Sequence, residues 1–457
     1  MNSPTSEIVS SDFRGQIFDP ATPGYDDARE IWNASIDRKP ALVVRAAGVA
    51  DVISAVRLAR DQGLGLAIRG GGHNIAGKAS TEGGILLSLA GMRSVRVDPH
   101  NRIAYAAGGA VLGDLDHETQ AFGLGTPGGV VSSTGLAGLA LGGGFGWLSR
   151  KFGLTADNLI AADVVTANGD LVRASAVEND DLFWALRGGS GNFGVVVGFE
   201  LKTHSVGPEV QFGPTLYRLE DAPSVLRAWR DYCRDAPRDL CIWADLLTAP
   251  PFPFLPEEHH GRKVLSLLAC HTSDAATAVK DLAPLNEFAT PIGQALGPMP
   301  YCAAQGMLDQ TYAFGAHNYW TSQNYVDLPD GAIDAAVELA EALPTPQSDI
   351  LFCQLGGAID DVDQGATAYP HRGVSTIITP GARWHGAGDR QACMDWIATC
   401  REKLTPGADG GSYVNFIAED EGRERDAYGA NFERLSAIKK RWDPDNFFRQ
   451  NQNVTPS

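Results

Sequence analysis

The residues that most clearly could bind a ligand or take part in a reaction form a loop in which three glycines precede a histidine, Arg69-Gly70-Gly71-Gly72-His73-Asn74. The loop follows residues 64–68, a short apolar run typical of a β-strand. Consecutive glycines let the backbone bend tightly and expose several N–H groups, which can hold a pyrophosphate. The same bend places the His73 imidazole beside whatever occupies the loop. Taken alone, the loop is equally compatible with a surface turn that carries an ordinary hydrogen-bonded histidine.

Two more glycine-rich stretches follow, at residues 125–146 and 188–196. The first contains a Gly142-x-Gly144 pattern, but it lacks the preceding strand and the acidic partner of a nicotinamide-dinucleotide site. Separated glycine-rich loops of this kind suit an extended ligand, whose phosphates bind backbone N–H groups and whose ring makes apolar contacts.

Composition limits the classes of partner. The net charge of −18 disfavours nucleic acid and anionic membranes, which require a basic surface. No apolar stretch is long enough to span a bilayer, and residues 1–15 lack the apolar core of a signal peptide. Seven cysteines without a CxxC pair favour a reduced, cytoplasmic setting. His259-His260 and Cys270-His271 lack the paired spacing of a zinc site, so we expect no metal.

The secondary structure predicted around these loops changes in character at Gly207-Pro208. Residues 41–45, 51–61 and 64–68 predict a β-α-β unit, and Asn168-Gly169 predicts a hairpin turn. Beyond Gly207-Pro208, helical and strand-like stretches alternate in a pattern typical of an α+β domain whose sheet is covered by helices. Near the C-terminus, Phe432, Leu435, Ile438 and Trp442 form the apolar stripe of a helix that ends at Asp443-Pro444.

Taken together, these motifs resemble the berberine-bridge-enzyme-like flavoprotein oxidases, within the vanillyl-alcohol-oxidase-type FAD superfamily. The similarity runs from about residue 40 to the C-terminus and is strongest to bacterial secondary-metabolism members. It rests on the loop ending in His73, the stretch from Leu141 to Asn158, the RGGSGNFG run at 187–194, Tyr413-Val414-Asn415-Phe416 and residues 443–453.

The resemblance implies an α+β, two-lobed FAD-binding domain plus a substrate domain with an antiparallel sheet covered by helices. It implies an FAD-binding domain at 37–207, a substrate domain at 208–407, and a segment at 408–457 that completes the FAD domain. FAD would be attached covalently through His73. The cofactor-binding residues would be Arg69, Gly70, Gly71, Gly72, His73, Asn74, Gly77, Thr126, Pro127, Gly128, Ser133, Gly135, Gly138, Gly142, Gly143, Gly146, Asn192, Val195, Tyr413, Asn415 and Asn451.

The sequence departs from plant members of the family in three places. Val131 stands where many of them carry a second attachment cysteine, which implies a single link through His73. Phe416 replaces a frequent catalytic tyrosine, and residues 374–379, after His371-Arg372, contain no carboxylate. A cavity poor in bases would favour amine oxidation, or a base drawn from Tyr413, His371, Tyr369 or Tyr325. We take Tyr413 and His371 as the catalytic candidates, with Tyr413 first. The expected substrate-pocket residues are Trp320, Tyr325, Gln354 and Tyr369.

The expected function is therefore a cytoplasmic FAD-dependent oxidase that transfers two electrons from a small organic metabolite to molecular oxygen and yields hydrogen peroxide. The metabolite would be an amine, an alcohol or a phenolic compound. Two alternatives stay open at this point. One is a flavin dehydrogenase with another electron acceptor, and the other is a non-catalytic binder of flavin or metabolite.

Overall fold

The computed structural model describes residues 13–386, 388–418 and 423–457; residues 1–12, the greater part of the N-terminal stretch without a signal-peptide core, lie outside these ranges. The first sheet has four strands in the order β1-β2-β4-β3. Strands β2, β4 and β3 run parallel, and β1 is antiparallel to β2. The strands and their helices are β1 (Gln16–Phe18), α1 (Tyr25–Arg29), β2 (Leu42–Arg45), α2 (Val49–Asp61), β3 (Leu66–Arg69) and β4 (Ile85–Ser88). The predicted β-α-β unit is therefore present, with the glycine loop at the end of β3.

The second sheet has five strands in the order β5-β6-β10-β8-β9, all antiparallel. The predicted hairpin joins β8 to β9 through Asn168-Gly169, and Gly169 adopts the positive φ that this turn requires. The elements of this part of the chain are β5 (Val95–Asp98), β6 (Ile103–Ala107), α3 (Leu112–Gln120), β7 (Leu124–Gly125), α4 (Leu136–Leu141), α5 (Ser149–Phe152), β8 (Leu159–Val165), β9 (Leu171–Ser175), α6 (Asp180–Leu186), β10 (Val195–Lys202) and β11 (His204–Ser205).

The third sheet is antiparallel and large, with the order β15-β12-β14-β13-β19-β20-β17, and with β16 and β18 pairing at β12 and β20. Its strands are β12 (Glu209–Arg218), β13 (Leu240–Thr248), β14 (Lys263–His271), β15 (Gly293–Gln294), β16 (Gly297–Pro300), β17 (His317–Trp320), β18 (Gln323–Tyr325), β19 (Asp349–Gln354) and β20 (Thr376–Trp384). The helices between them are α7 (Ala222–Asp235), α8 (Ala275–Leu282), α9 (Leu285–Phe288), α10 (Tyr301–Gln305), α11 (Asp330–Glu341) and α12 (Arg390–Leu404).

Both faces of this large sheet are buried, and alternation along each strand separates them. On β13, Ile242 and Ala244 join the core beneath α7, α11 and α12. Their neighbours Cys241 and Trp243 belong instead to the core shared with the glycine-rich lobe. The sheet is thus covered by helices on one side and by the first lobe on the other, as the sequence predicted for the fold class.

Buried arginines join the lobes. Arg150, beside the second glycine stretch, donates to the carbonyl oxygens of Ala236, Leu240 and Leu355 at 2.7–2.9 Å. Arg372 forms a bidentate ion pair with Asp157 at 2.6 and 2.8 Å, and both side chains are buried. Because a buried guanidinium satisfies several acceptors at once, each arginine fixes the relative position of the two lobes.

The C-terminal segment returns to the first lobe through α13 (Glu424–Tyr428) and α14 (Phe432–Trp442). Helix α14 ends before Asp443-Pro444, as predicted, and Phe432, Leu435 and Ile438 are buried. Lys439 on the same helix is fully buried, and its ammonium donates to Asp443, to Asn192 O and to Phe448 O at 2.6–2.8 Å. In the described part of the chain, no helix is long and apolar enough to cross a membrane.

Candidate functional site

A deep cavity lies where the three glycine-rich loops, the C-terminal segment and the large sheet meet. From the loops it is lined by Gly70, Gly71, Gly72, His73, Asn74, Gly135, Gly138, Ser190, Gly191, Gly194 and Val195. From the C-terminal segment it is lined by Tyr413, Val414, Asn415, Phe416, Gln450, Asn451 and Gln452. Trp243, Trp320, Asp349, Leu351, Thr379 and Gly381 of the sheet form the opposite wall.

The first two loops pack backbone against backbone. A Cβ atom on Gly71 would overlap the backbone of Gly135, and one on Gly135 would overlap that of Gly71. By contrast, a Cβ on Gly138 or Gly191 would meet no atom within 4 Å, although both residues line the cavity. The loops therefore pack tightly against each other at Gly71 and Gly135, and they expose uncovered backbone to the cavity at Gly138 and Gly191. Such exposed backbone can bind an extended ligand.

His73 is held rigidly at one wall of the cavity. Its ring stacks on Trp32, with centroids 5.1 Å apart, and Phe314 contacts it edge-on. Its Nε2 lies 2.9 Å from Ser133 Oγ, and Nδ1 has no hydrogen-bond partner among the described residues. Burial lowers the pKa of His73 to about 4, against the opposing charge of Asp309. The imidazole is therefore neutral at physiological pH, with one nitrogen free.

Tyr413 and Asn415 bring the C-terminal segment onto the second glycine loop. The Tyr413 hydroxyl accepts hydrogen bonds from Gly144 N at 3.1 Å and from Asn415 Nδ2 at 2.9 Å. Asn415 fits because a Cβ on Gly142 would lie 2.5 Å from its amide. Burial raises the pKa of Tyr413 to about 12, although both donors oppose the increase. Tyr413 is thus protonated near neutral pH and can act there as a hydrogen-bond donor rather than as a base.

The third loop is closed by the same segment. Asn192 donates to Gly189 O and Gln452 O, and its Oδ1 accepts from Val454 N. Asn451 Nδ2 donates to Gly191 O at 3.0 Å. The structure therefore places Asn192 behind the loop and Asn451 in the cavity wall.

The other cofactor-binding residues expected from the sequence lie behind the cavity wall. Arg69 donates to Ala28 O, Glu30 O and Ser88 Oγ, and so orders the chain beneath the first loop. Thr126 bonds Lys202 O, and Pro127 O accepts from Thr155. A Cβ atom on the glycines of this group would lie less than 3.0 Å from Ile36 at Gly77, from Tyr369 at Gly143 and from Gly128 O at Gly146, and 3.1 Å from Leu112 at Gly128.

Four of the residues expected at the substrate or as catalysts lie elsewhere, while Trp320 lines the cavity. Tyr325 points into the core beneath the helices and donates to Leu404 O. Gln354 accepts from Ile242 N on β13 and donates to Cys233 O on α7, so both ends of its amide are engaged away from the cavity. His371 is buried with Nε2 between Ser412 O and Ala427 O, and burial lowers its pKa. Tyr369 packs behind Gly143 and Gly188, outside the cavity lining. These four side chains support the fold and do not reach the cavity.

Sequence reasoning missed the acidic group of the cavity. The expectation of a cavity poor in bases is wrong, because Asp349 at the start of β19 lines the cavity and accepts a hydrogen bond from Tyr312. Residues 374–379 contain no acid, but the neighbouring strand supplies one. The available signal is the apolar, strand-like run at residues 350–355, which this aspartate directly precedes.

The cavity fits FAD on two structural observations. Its open glycine cradle matches an extended phosphate-containing ligand. In addition, Trp320 Nε1, Thr379 Oγ1 and Asn451 Oδ1 are buried in its wall without a partner among the described residues. Since buried polar groups are normally hydrogen-bonded, such atoms mark positions where a ligand completes the site.

Comparison with known proteins also indicates an FAD-binding protein. A family model described as FAD binding domain matches residues 40–175, and one described as berberine and berberine like matches residues 412–455. An FAD-linked oxidoreductase of Dictyostelium discoideum is 30% identical over 93% of this chain and 91% of its own length. The (R)-6-hydroxynicotine oxidase of Paenarthrobacter nicotinovorans is 29% identical over 97% of both chains. The crystal structure of 6-hydroxy-D-nicotine oxidase from Arthrobacter nicotinovorans has a TM-score of 0.87 and 25% identity, covering 98% of this chain and 99% of that one.

Fold and cavity thus define an FAD-linked oxidoreductase of the vanillyl-alcohol-oxidase type. Within that class, the chain belongs to the berberine-bridge-enzyme-like family.

Proposed function

We propose that this protein is an oxidase that carries FAD covalently on His73 and transfers two electrons from a small organic metabolite to molecular oxygen, yielding hydrogen peroxide. The observation that carries the proposal is the state of His73. A neutral imidazole with Nε2 engaged by Ser133 and Nδ1 unpartnered is prepared to act as a nucleophile towards a group in the cavity.

A single attachment is supported by the cysteines. None of the seven lines the cavity, and Val131 does line it. A second thioether link of the kind that many plant relatives carry therefore has no sulfur available. All seven thiols are free, which also supports our proposal of a reduced, cytoplasmic location.

The residues that would hold FAD follow from the cavity lining. The backbone N–H groups of Gly70, Gly71 and Gly72 would bind the pyrophosphate. The unpartnered amide oxygen of Asn451 would accept a hydrogen bond from an N–H or O–H group of the cofactor. When bound, FAD supplies a two-electron acceptor. The chain itself excludes water with Trp243, Trp320 and other apolar groups, and orients the substrate through the Tyr413 hydroxyl.

Molecular oxygen as acceptor is carried over from the oxidase of Paenarthrobacter nicotinovorans, whose name states that activity. We extend it to this chain as part of the proposal, together with a substrate that bears an amine, alcohol or phenolic group.

The test begins with the purified yellow protein. After acid precipitation, flavin should remain in the pellet, on one proteolytic peptide that contains His73. His73→Ala should release all flavin to the supernatant, whereas the exposed His117→Ala should behave as wild type. Free flavin from the wild type would disprove the covalent link.

The acceptor is tested separately by bleaching the flavin anaerobically with substrate and then admitting air. Colour should return with one peroxide formed per flavin. Recovery only with an artificial electron carrier would show a dehydrogenase instead.

A further inference from the structure

The cavity-facing side of the large sheet carries an acidic pair. Alternation along β13 and β19 places Asp245 and Asp349 on the same face, because Asp245 pairs with Leu351 and Leu247 pairs with Asp349. On β20 the same face presents Thr379, Gly381 and Arg383. The two carboxyl groups are therefore diagonal neighbours on adjacent strands, a separation at which charged side chains interact.

Asp349 is positioned by contacts on two sides. Its Oδ2 accepts a hydrogen bond of 3.2 Å from the Tyr312 hydroxyl. Across the strand pair stands Gly381, where a Cβ atom would lie 2.7 Å from Asp349 Oδ1. Trp32 Nε1 donates to Tyr312 O at 2.7 Å and holds the tyrosine in place. The carboxyl group therefore occupies space that only glycine leaves at position 381.

The titratable groups around Asp349 include a second carboxyl group, one guanidinium group and, on its own strand, the Cys353 thiol. Asp245 faces it from β13, with Oδ1 lacking a partner among the described residues. Arg383 on β20 lies over the Tyr312 ring at 4.3 Å and donates to Asn318, Thr311 and Gln347. Tyr312 faces it from the loop before β17. Two carboxylates in one desolvated site cannot both ionise cheaply, so the pair retains a proton to higher pH than either acid would alone.

The direction of each pKa follows from this arrangement. Burial and the charge of Asp349 raise the pKa of Asp245 well above its usual value. Burial raises the pKa of Asp349 to about 6, against the Arg383 charge and the Tyr312 hydrogen bond. Near pH 7 the pair therefore shares one proton and one negative charge, and Asp349 is the member that lines the cavity.

We propose that Asp349 is the proton acceptor of the reaction and binds the N–H or O–H group on the reacting carbon of an aromatic amine or alcohol. The assignment rests on the proposed function. In the step, the C–H hydrogen leaves with its electron pair to the flavin, the heteroatom proton passes to Asp349, and a C=N or C=O bond forms. A base whose pKa lies near the working pH is suited to this transfer.

The rest of the wall specifies a flat apolar substrate body. Trp243, Trp320 and Phe416 line the cavity together with Phe145 and Tyr312. Aromatic faces pack well against an aromatic ring and can stabilise a cationic amine before it loses its proton. The site therefore combines aromatic walls with one carboxylate.

The experiment compares Asp349→Asn with the exposed control Asp327→Asn in the flavin-loaded enzyme. Benzylamine, N-methylbenzylamine, benzyl alcohol and their ring-hydroxylated forms are the probes, and anaerobic flavin bleaching is followed in a stopped-flow instrument. Asp349→Asn should slow bleaching by about 10²–10⁴-fold and abolish the pH dependence near 6, while Asp327→Asn retains both. Comparing the bleaching rates with the amine probes and with the alcohol probes identifies the substrate's heteroatom as nitrogen or oxygen. Bleaching by Asp349→Asn within threefold of wild type, with an unchanged pH profile, would overturn the assignment.

Two further measurements keep the test decisive. Infrared titration of the unreacted protein should show a carboxyl group losing its proton near pH 6 in the wild type and not in Asp349→Asn, and absence of that difference refutes the proposal. If Asp349→Asn does not fold, Tyr312→Phe serves as the second variant, because it removes one hydrogen bond to the Asp349 carboxylate. The midpoint of the pH profile should then rise by about 0.5–1 pH units. An unmoved midpoint refutes the proposal. A wild type bleached by no probe contradicts the proposed function itself, a result distinct from an active wild type with an equally active Asp349→Asn.

Discussion

The buried Lys439 offers the sharpest test of how the C-terminal segment is held. Its ammonium makes three charge-assisted hydrogen bonds of 2.6–2.8 Å, and both Lys439 and Asp443 have no exposed side-chain surface. Asp443 also accepts from Phe447 N and Phe448 N. Lys439→Met would leave the Asp443 carboxylate buried without its counter-charge. Breaking a buried pair in this way costs about 3–5 kcal/mol, so Lys439→Met should destabilise the protein by that amount.

The assay is urea unfolding followed by circular dichroism and by flavin fluorescence. Lys440→Met is the matched control, because Lys440 is exposed on the same helix, and its free energy of unfolding should change by less than about 0.5 kcal/mol. Lys439→Met/Asp443→Asn should be less destabilised than Lys439→Met, because no unpaired charge remains buried. Equal stability of Lys439→Met and Lys440→Met would refute the reasoning.

Three other outcomes are expected. Gly71→Ala should lose most of its bound flavin while retaining secondary structure by circular dichroism, because its Cβ overlaps the backbone of Gly135; normal flavin content would contradict this. Tyr413→Phe should slow anaerobic flavin reduction about tenfold without moving the pH midpoint, since a tyrosine whose pKa is about 12 donates a hydrogen bond but is no base near neutrality; a moved midpoint in a stopped-flow pH series would show otherwise. Covalent incorporation of FAD into the apoprotein, measured by acid precipitation, should proceed equally at pH 5.5 and 7.5. The lowered pKa of His73 leaves its imidazole about 97% neutral at pH 5.5, whereas an ordinary histidine would be only about 9% neutral and would react about tenfold more slowly.

The sequence predicted the loops of the site better than its walls. Glycine and asparagine motifs are local signals, so the amino-acid order alone is enough to assign the loop that ends in His73 and the residues Asn415 and Asn451. The fold then brings these residues together. Wall residues depend on which face of a strand points to the cavity. A shift of one residue reverses that face, and the sequence does not reveal register. Tyr325, predicted for the pocket, faces the helices, whereas Asp349, which no motif marks, faces the cavity.

The sequence also did not predict the polar contacts inside the protein. Lys439 lies within an apolar stripe that predicted only a packing face, and its partners Asn192 and Phe448 come from other elements. Arg150 is an ordinary surface residue by sequence, yet three carbonyls of the second lobe bind it. The predicted boundaries at residues 207 and 408 stay predictions.

The return of the C-terminal segment has a consequence for biosynthesis. Asn192 bonds Gln452 and Val454, about 260 positions later in the chain, and Asn451 bonds Gly191 over a similar distance. A ribosome that has finished the glycine loops must still synthesise the large sheet and its helices before the last wall of the cavity exists. Flavin capture is therefore a late event, and a nascent chain stalled before its final fifty residues should emerge colourless.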